Sequence, residues 1–331
     1  MDAIATPARR RLGQSDLYVA PIAFGGSVFG WTADPAMSHR LLDAFTDRGF
    51  NMIDTADVYS FWLPGNSGGE SETIIGDWLA ATGKRDRVVL ATKCGSPRTP
   101  GGADLSADYI LKSVEGSLKR LRVDCIDLYQ AHRDDLLTQP DEMLGAYDRL
   151  IRDGKVRAIG ASNFLYPRLK QSLDHAEAHG LPRFQTLQPP YNLYDRDTYE
   201  WAFEGSLAAL CAERQVSAIP YFSLASGFLT GKYRVPEDTA RNRARGGDVE
   251  RYLNPKGHRV LAALDRAAET LGATPAQVAL AWLMAQPTVA APITSATSLD
   301  QLHDLLGAAE IRLDTDTLAD LTAAGSNASA S

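Results

Sequence analysis

The segment Ile126-Asp127-Leu128-Tyr129 is followed by His132, by Met143, Leu144, Tyr147, Leu150 and Ile151, and then by Gly154, Val156-Arg157-Ala158-Ile159 and Ser162. The two short apolar runs have the length of buried strands, and the apolar residues between them recur at three and four, as one face of a helix does. Gly154 stands where that helix should stop. The polar ends of the runs, His132 and Ser162, are 30 residues apart, which suits one strand, crossover helix and parallel strand.

Outward from this unit the rhythm recurs. Further apolar runs lie at Ile22-Ala23-Phe24, Met52-Ile53, Val88-Val89-Leu90-Ala91, Thr186-Leu187, Val216-Ser217-Ala218-Ile219 and Val289-Ala290-Ala291-Pro292-Ile293, making eight strands in all. Their polar ends are spaced by 39 residues from Asp54 to Lys93, 39 from Lys93 to His132, 26 from Ser162 to Gln188 and 33 from Gln188 to Tyr221. The 73 residues from Tyr221 to Thr294 mark an insertion in the seventh unit. Eight βα units predict an α/β fold, a parallel (β/α)8 TIM barrel, rather than a doubly wound sheet. The length alone would also allow two domains; the spacing favours one barrel domain over residues 1–331. Residues 9–20 read as an N-terminal β-hairpin that plugs or caps the barrel, 224–257 as the long loop insertion after strand 7, and 323–331 as a frayed tail. Gly49, Gly83, Gly154, Gly180 and Gly272 are placed to end helices.

The 331 residues are 44% hydrophobic and 23% charged, enough apolar material for a substantial core, which excludes disordered and fibrous classes. The formal net charge of −7 argues against a nucleic-acid partner bound through the overall field. No run is long and apolar enough for a membrane helix, and Met1 to Arg11 lacks an apolar targeting core, so a cytoplasmic protein with no membrane partner is expected. Cys94, Cys125 and Cys211 are far apart and read as buried thiols. His175 and His179 stand four apart but have no third ligand nearby, so they read as a solvated helix surface and no metal is expected. Ser226 to Tyr233 lacks the first glycine and the final Ser or Thr of a Walker loop.

In a barrel, residues at the C-terminal strand ends converge on the top face. Here these are Asp54 with Tyr59 just beyond, Lys93, His132, Ser162-Asn163, Gln188, Tyr221 and Thr294-Ser295. A phenol is a poor acid at neutral pH, and a neighbouring ammonium lowers its pKa. Lys93 would supply that charge, Asp54 its counter-charge, and His132 a hydrogen bond to a substrate oxygen. The four make a general acid poised to protonate a carbonyl oxygen.

The stretches Phe50-Asn51-Met52-Ile53-Asp54-Thr55-Ala56-Asp57-Val58-Tyr59, Leu90-Ala91-Thr92-Lys93, Asp127-Leu128-Tyr129-Gln130-Ala131-His132, Ile159-Gly160-Ala161-Ser162-Asn163-Phe164, Gln188-Pro189-Pro190-Tyr191-Asn192 and Tyr221 to Tyr233 resemble, in order, the signature segments of the aldo/keto reductase family. The resemblance covers about residues 10 to 320. It implies an oxidoreductase of the EC 1.1.1 class that reduces small aldehydes or ketones to alcohols with NADP(H), with Asp54, Tyr59, Lys93 and His132 as catalytic tetrad and Tyr59 as general acid. It also implies that Ser162, Asn163 and Gln188 hold the nicotinamide carboxamide and that Tyr221 stacks on the ring. Ser223, Leu224, Gly227 and Lys232 would line the pyrophosphate, and Ser295, Ala296, Thr297, Gln301 and Asp304 the adenosine end. Members often carry a Lys or Arg after the eighth strand for the 2′-phosphate; Thr294 to Ser298 has none, so NAD(H) is the alternative, unless Arg241 or Arg243 of the insertion folds over. Trp31, Phe61, Trp62 and Tyr191 are expected to wall an apolar substrate pocket. Two other readings are a cofactor-binding regulatory or sensor subunit with little turnover, and a Schiff-base aldolase using Lys93. The intact tetrad argues against the first, and Asp54 with Tyr59 beside the lysine against the second.

Overall fold

The computed structural model describes residues 7–97, 102–201, 204–239 and 246–327. Eight parallel strands run in order: Ala23–Gly25, Met52–Asp54, Val89–Cys94, Ile126–Ala131, Val156–Ser162, Thr186–Gln188, Ser217–Ala218 and Ile293–Thr294. Each of the first six pairs with the next, and the eighth pairs with the first, Ile293 opposite Ala23. Between the seventh and eighth, a bridge of Ala218 with Val289 and the bond from Ile293 N to Pro220 O at 2.8 Å close the ring. The fold is a (β/α)8 barrel.

Strands covered on both faces must be apolar on both. Their inward residues, among them Met52, Ala91, Leu128, Ala158 and Ile219, form one core, and Leu12, Leu17 and Val19 of the N-terminal hairpin belong to it. The hairpin, Arg10–Arg11 against Tyr18–Val19, therefore plugs the barrel. Gly13 N donates to Ser217 Oγ at 2.8 Å, and Asn51 bonds both Ala20 N and Tyr18 O. Outward residues pack against the helices in a second, larger core.

Helix starts follow local chemistry. Asp34 accepts from Met37 N ahead of Pro35–Asp47, Ser298 from Gln301 N ahead of Leu299–Gly307, and Thr274 forms a reciprocal capping box with Gln277. The five glycines expected beyond helix ends all have positive φ, from 61° at Gly272 to 83° at Gly49.

Three expectations are corrected. The insertion ends at Asn254, which caps the helix Pro255–Leu271; Gly257 is inside that helix, where a Cβ would lie 1.8 Å from Tyr252 O. Before it the chain forms short helical turns at Ala225–Thr230, Pro236–Thr239, Gly246–Val249 and Glu250–Tyr252, while Arg241 and Arg243 lie outside the described residues. The tail is not frayed through 327: Ala324 ends the helix Thr315–Ala324, Arg196 donates to Thr322 O at 2.7 Å, and Asn327 Nδ2 donates to Asp197 at 2.9 Å. Residues 328–331 lie outside the described residues. Cys94 and Cys211 are buried, but Cys125, at the rim before the fourth strand, is half-buried. No described helix is long and apolar enough to cross a membrane.

The helices Glu70–Thr82 and Ala107–Leu121 meet at Gly76, where a Cβ would stand 2.1 Å from Arg120 O. Backbone cannot yield as a flexible side chain does. Gly76→Ala is expected to destabilise the protein by about 2 kcal/mol or more, read as a lowered urea midpoint with unchanged slope.

Candidate active site

The parallel strands carry Asp54, Lys93, His132, Ser162, Gln188 and Tyr221 to one end of the barrel, and all but Lys93 line a single cavity of about 760 Å³. Lys93, fully buried in the third strand, is at its floor. Its ammonium donates to Asp54 Oδ2 at 2.7 Å, Thr55 O at 2.8 Å and Tyr59 OH at 2.9 Å, which uses its three protons. The other carboxylate oxygen, Asp54 Oδ1, accepts from Gln188 Nε2 at 2.9 Å and Gln130 Nε2 at 3.1 Å. Tyr59 is held in the loop after the second strand by a turn, Tyr59 N to Ala56 O, and by the Ser60 hydroxyl bonded to Phe29 O.

The electrostatics differ from the expectation in one respect. Burial is the largest influence on Tyr59 and raises its pKa; Lys93 opposes it, but Asp54 behind the lysine adds to it, and the net direction is upward. The phenol therefore keeps its proton at neutral pH. Lys93 stays charged, its pKa raised: burial lowers it, but Asp54 and Tyr59 outweigh that. His132, its ring 5.9 Å from that of Tyr59, is held well below the usual imidazole range by burial, then by Lys93 and Arg133. It is neutral, and its Nδ1 is buried without a partner among the described residues, which leaves Nε2 as the nitrogen to meet a ligand.

The sequence profile of the aldo/keto reductase family matches residues 21–326. The chain belongs to the aldo/keto reductase family. It is similar to the uncharacterized oxidoreductase YrpG of Bacillus subtilis (34% identity over 93% of this chain and 92% of the relative). It resembles equally the 6-dehydroglucose reductase of Novosphingobium aromaticivorans (34%; 92% and 91%). The aldo-keto reductase yakc [NADP(+)] of Schizosaccharomyces pombe is 30% identical, with 96% and 92% covered.

Most of the positions expected to hold a cofactor in this aldo/keto reductase line the same cavity. These are Ser162, Asn163, Gln188, Tyr221, Ser223, Leu224, Gly227, Lys232, Ser295, Thr297, Gln301 and Asp304. Ala296 does not: its side chain is buried in the outer core. Several of the hydroxyls brace the wall, Ser223 Oγ donating to Ile293 O and Ser295 Oγ to Gly25 O. Asn163, at φ 59°, donates to His132 O and Ser162 Oγ and accepts from Tyr221 OH at 2.7 Å. Both protons of the Gln188 amide are engaged, so Gln188 Oε1 and a lone pair of Asn163 Oδ1 face the cavity as acceptors, a match for the two N–H bonds of a carboxamide. A Cβ on Gly227 would lie 3.4 Å from Lys232 Nζ, so the missing side chain keeps room for an anion beside that ammonium. The far end, at Thr297, Gln301 and Asp304, has no Lys or Arg among the described lining residues. The cavity's size and donor set thus fit a nicotinamide dinucleotide.

The aromatic expectations divide. Trp62 lines the cavity, with Tyr59 at 6.2 Å and Trp31 edge-on at 5.6 Å; Phe61 packs on Trp62 from outside and is exposed. Tyr191 is no pocket wall: its ring is buried against Tyr199 and Trp282, and its hydroxyl donates to Glu200 at 2.6 Å. Beyond the bridge of Pro190 with Tyr221, its ring enters the outer core between barrel and helices. Sequence reasoning missed Gln130 and Arg133. Gln130 was findable, because Leu128, Gln130 and His132 alternate onto the inward face of the fourth strand.

Removing one half of the buried ion pair leaves an unpaired charge. Asp54→Ala is expected to cost about 3–5 kcal/mol of stability by urea unfolding; a loss under about 1 kcal/mol would show that Lys93 has another partner.

Proposed function

We propose that this aldo/keto reductase reduces the carbonyl of small aldehydes or ketones to alcohols with NADPH, Tyr59 acting as general acid. The single observation that carries the reading is the chain from Asp54 through Lys93 to the Tyr59 hydroxyl, 2.7 and 2.9 Å long, ending in a cavity large enough for a dinucleotide and a small substrate. Bound reduced nicotinamide supplies the hydride. Tyr221 offers its ring as a flat wall, and its hydroxyl is fixed on Asn163. The substrate oxygen lies between Tyr59 and His132, neutral His132 orienting it. Tyr59 gives its proton to that oxygen as negative charge develops there. Lys93, 2.9 Å away, stabilises the phenolate left behind, and Asp54 keeps the ammonium in place. The burial that raises the phenol's pKa keeps it loaded with a proton; the lysine makes the proton's departure less unfavourable.

NADP(H) is supported by the name of the yeast relative and by the capped helix N-terminus at Ser298. One observation favours NAD(H) instead: the Asp304 carboxylate, bonded by the Thr274 hydroxyl at 3.0 Å, lines the end where a 2′-phosphate would sit. Michaelis constants for NADPH and NADH decide between them. The relative named for 6-dehydroglucose makes a carbonyl sugar a sensible member of the substrate panel.

Tyr59→Phe is expected to lower carbonyl reduction by about 10²- to 10⁴-fold, with cofactor still quenching the protein's fluorescence. No oxidation of NADPH or NADH across a broad aldehyde panel would overturn the reading. Because His132 is neutral and Tyr59 protonated, the reduction rate is expected to be level from about pH 6 to 9 and to fall only above about pH 10. A step near the ordinary histidine pKa would contradict the assigned state of His132.

A further inference from the structure

Arg133 follows His132 and forms part of the cavity wall, with its side chain exposed. In the sequence His132-Arg133-Asp134-Asp135 two carboxylates stand ready to neutralise it. The fold turns both away. Asp134 Oδ1 accepts from the buried Arg168 at 2.9 Å. Asp135 accepts from Leu105 N at 3.1 Å, Leu137 N at 3.0 Å and the Thr138 hydroxyl at 2.6 Å. Arg168 locks this loop further by donating to Asp135 O and Thr138 O. Among the described residues Arg133 has neither an ion pair nor a hydrogen bond.

The other charges among the described lining residues, and Lys93 beneath them, are accounted for. Lys93 and Asp54 neutralise one another, Asp304 is at the far end with Thr274, and Lys232 stands beside Gly227. The unbalanced charge at the reaction end is thus positive, in a chain whose net charge is −7. Its field reaches the reacting groups. It is one of the charges that keep His132 neutral, and it is the first charge opposing the upward push of burial on Tyr221.

We propose that Arg133 selects carbonyl substrates bearing a carboxylate or similar small oxyanion, holding that group at the cavity mouth while the carbonyl meets Tyr59 and His132. The assignment rests on the carbonyl-reductase reading above. The oxyanion takes no part in bond making: hydride goes to carbon, the Tyr59 proton to oxygen, and the anionic group leaves as it entered. A guanidinium pairs with a carboxylate through two parallel N–H bonds, which adds orientation to charge. Exposure screens the pair, so a preference of about tenfold or somewhat more is expected rather than thousands.

The test measures kcat/KM for succinic semialdehyde and 4-formylbenzoate against their methyl esters, in the full-length protein and in Arg133→Gln and Arg133→Lys. The expected result is a preference of about tenfold or more for at least one acid over its ester, carried mainly by KM and weakened by added salt. Arg133→Gln brings the acid-to-ester ratio near one, and Arg133→Lys keeps part of it. Esters turned over as well as both acids would overturn the assignment, as would an acid preference that survives Arg133→Gln. A Kd for NADPH or NADH that weakens in parallel in Arg133→Gln would show that the guanidinium holds a cofactor phosphate, which also overturns it. Inactivity toward every acid and ester would instead overturn the carbonyl-reductase reading and this assignment with it.

Discussion

A lysine buried without solvent exposure is the constraint around which the top of this barrel is arranged. Moving an ammonium out of water costs several kcal/mol unless its charge and protons find partners. Lys93 finds a carboxylate, a carbonyl and a phenol within 2.9 Å. The carboxylate in turn needs Gln130 and Gln188, so residues of the second, third, fourth and sixth strands are tied at one level. On the outward face of the same strand, Thr92 donates to the fully buried Glu72 at 2.6 Å, and Glu72 accepts from Arg120 at 2.6 Å. The strand carrying Lys93 is thus pinned from both sides.

The loops above this layer are held in unusual conformations. Ser60, Asn163, Phe222, Ala225 and Ser226 all have positive φ without being glycine. Such residues are costly one by one and persist only where the surroundings enforce them. Here the enforcing bonds are visible: Ser60 Oγ on Phe29 O, the Asn163 amide on His132 O and Ser162, and Asn192 on Phe222 O. The strain is spent on aiming groups at the cavity rather than into the loops' own packing. Rigidity of this kind suits the proposed role, holding a flat ring against a carbonyl.

Charge is distributed by the same logic. An acidic chain can bind an anionic ligand only by concentrating its cations, and Lys232 and Arg133 lie at separate points along one cavity. Most other described arginines are tied up: Arg234 is bidentate on Asp265, and Arg157 bridges Asp16 and Asp127. Among the described residues, Arg133 is the arginine in the cavity wall, and it is unpaired there.

Strand order, the plugging hairpin and the convergence of Asp54, Lys93, His132, Ser162, Gln188 and Tyr221 were legible from the sequence, because period and spacing are local properties that a parallel barrel converts directly into position. Asp54, Tyr59, Lys93 and His132 also carried their chemistry in their side-chain types. What sequence could not supply was the outcome of competition between neighbours. Burial outweighs Lys93 in deciding the direction of the Tyr59 pKa, Glu200 and Trp282 claim Tyr191 from the pocket, and Arg168 takes the carboxylate of Asp134, which stands beside Arg133 in the sequence. Each is settled by residues distant in the chain or by the depth of burial, and both exist only once the strands have closed into a barrel.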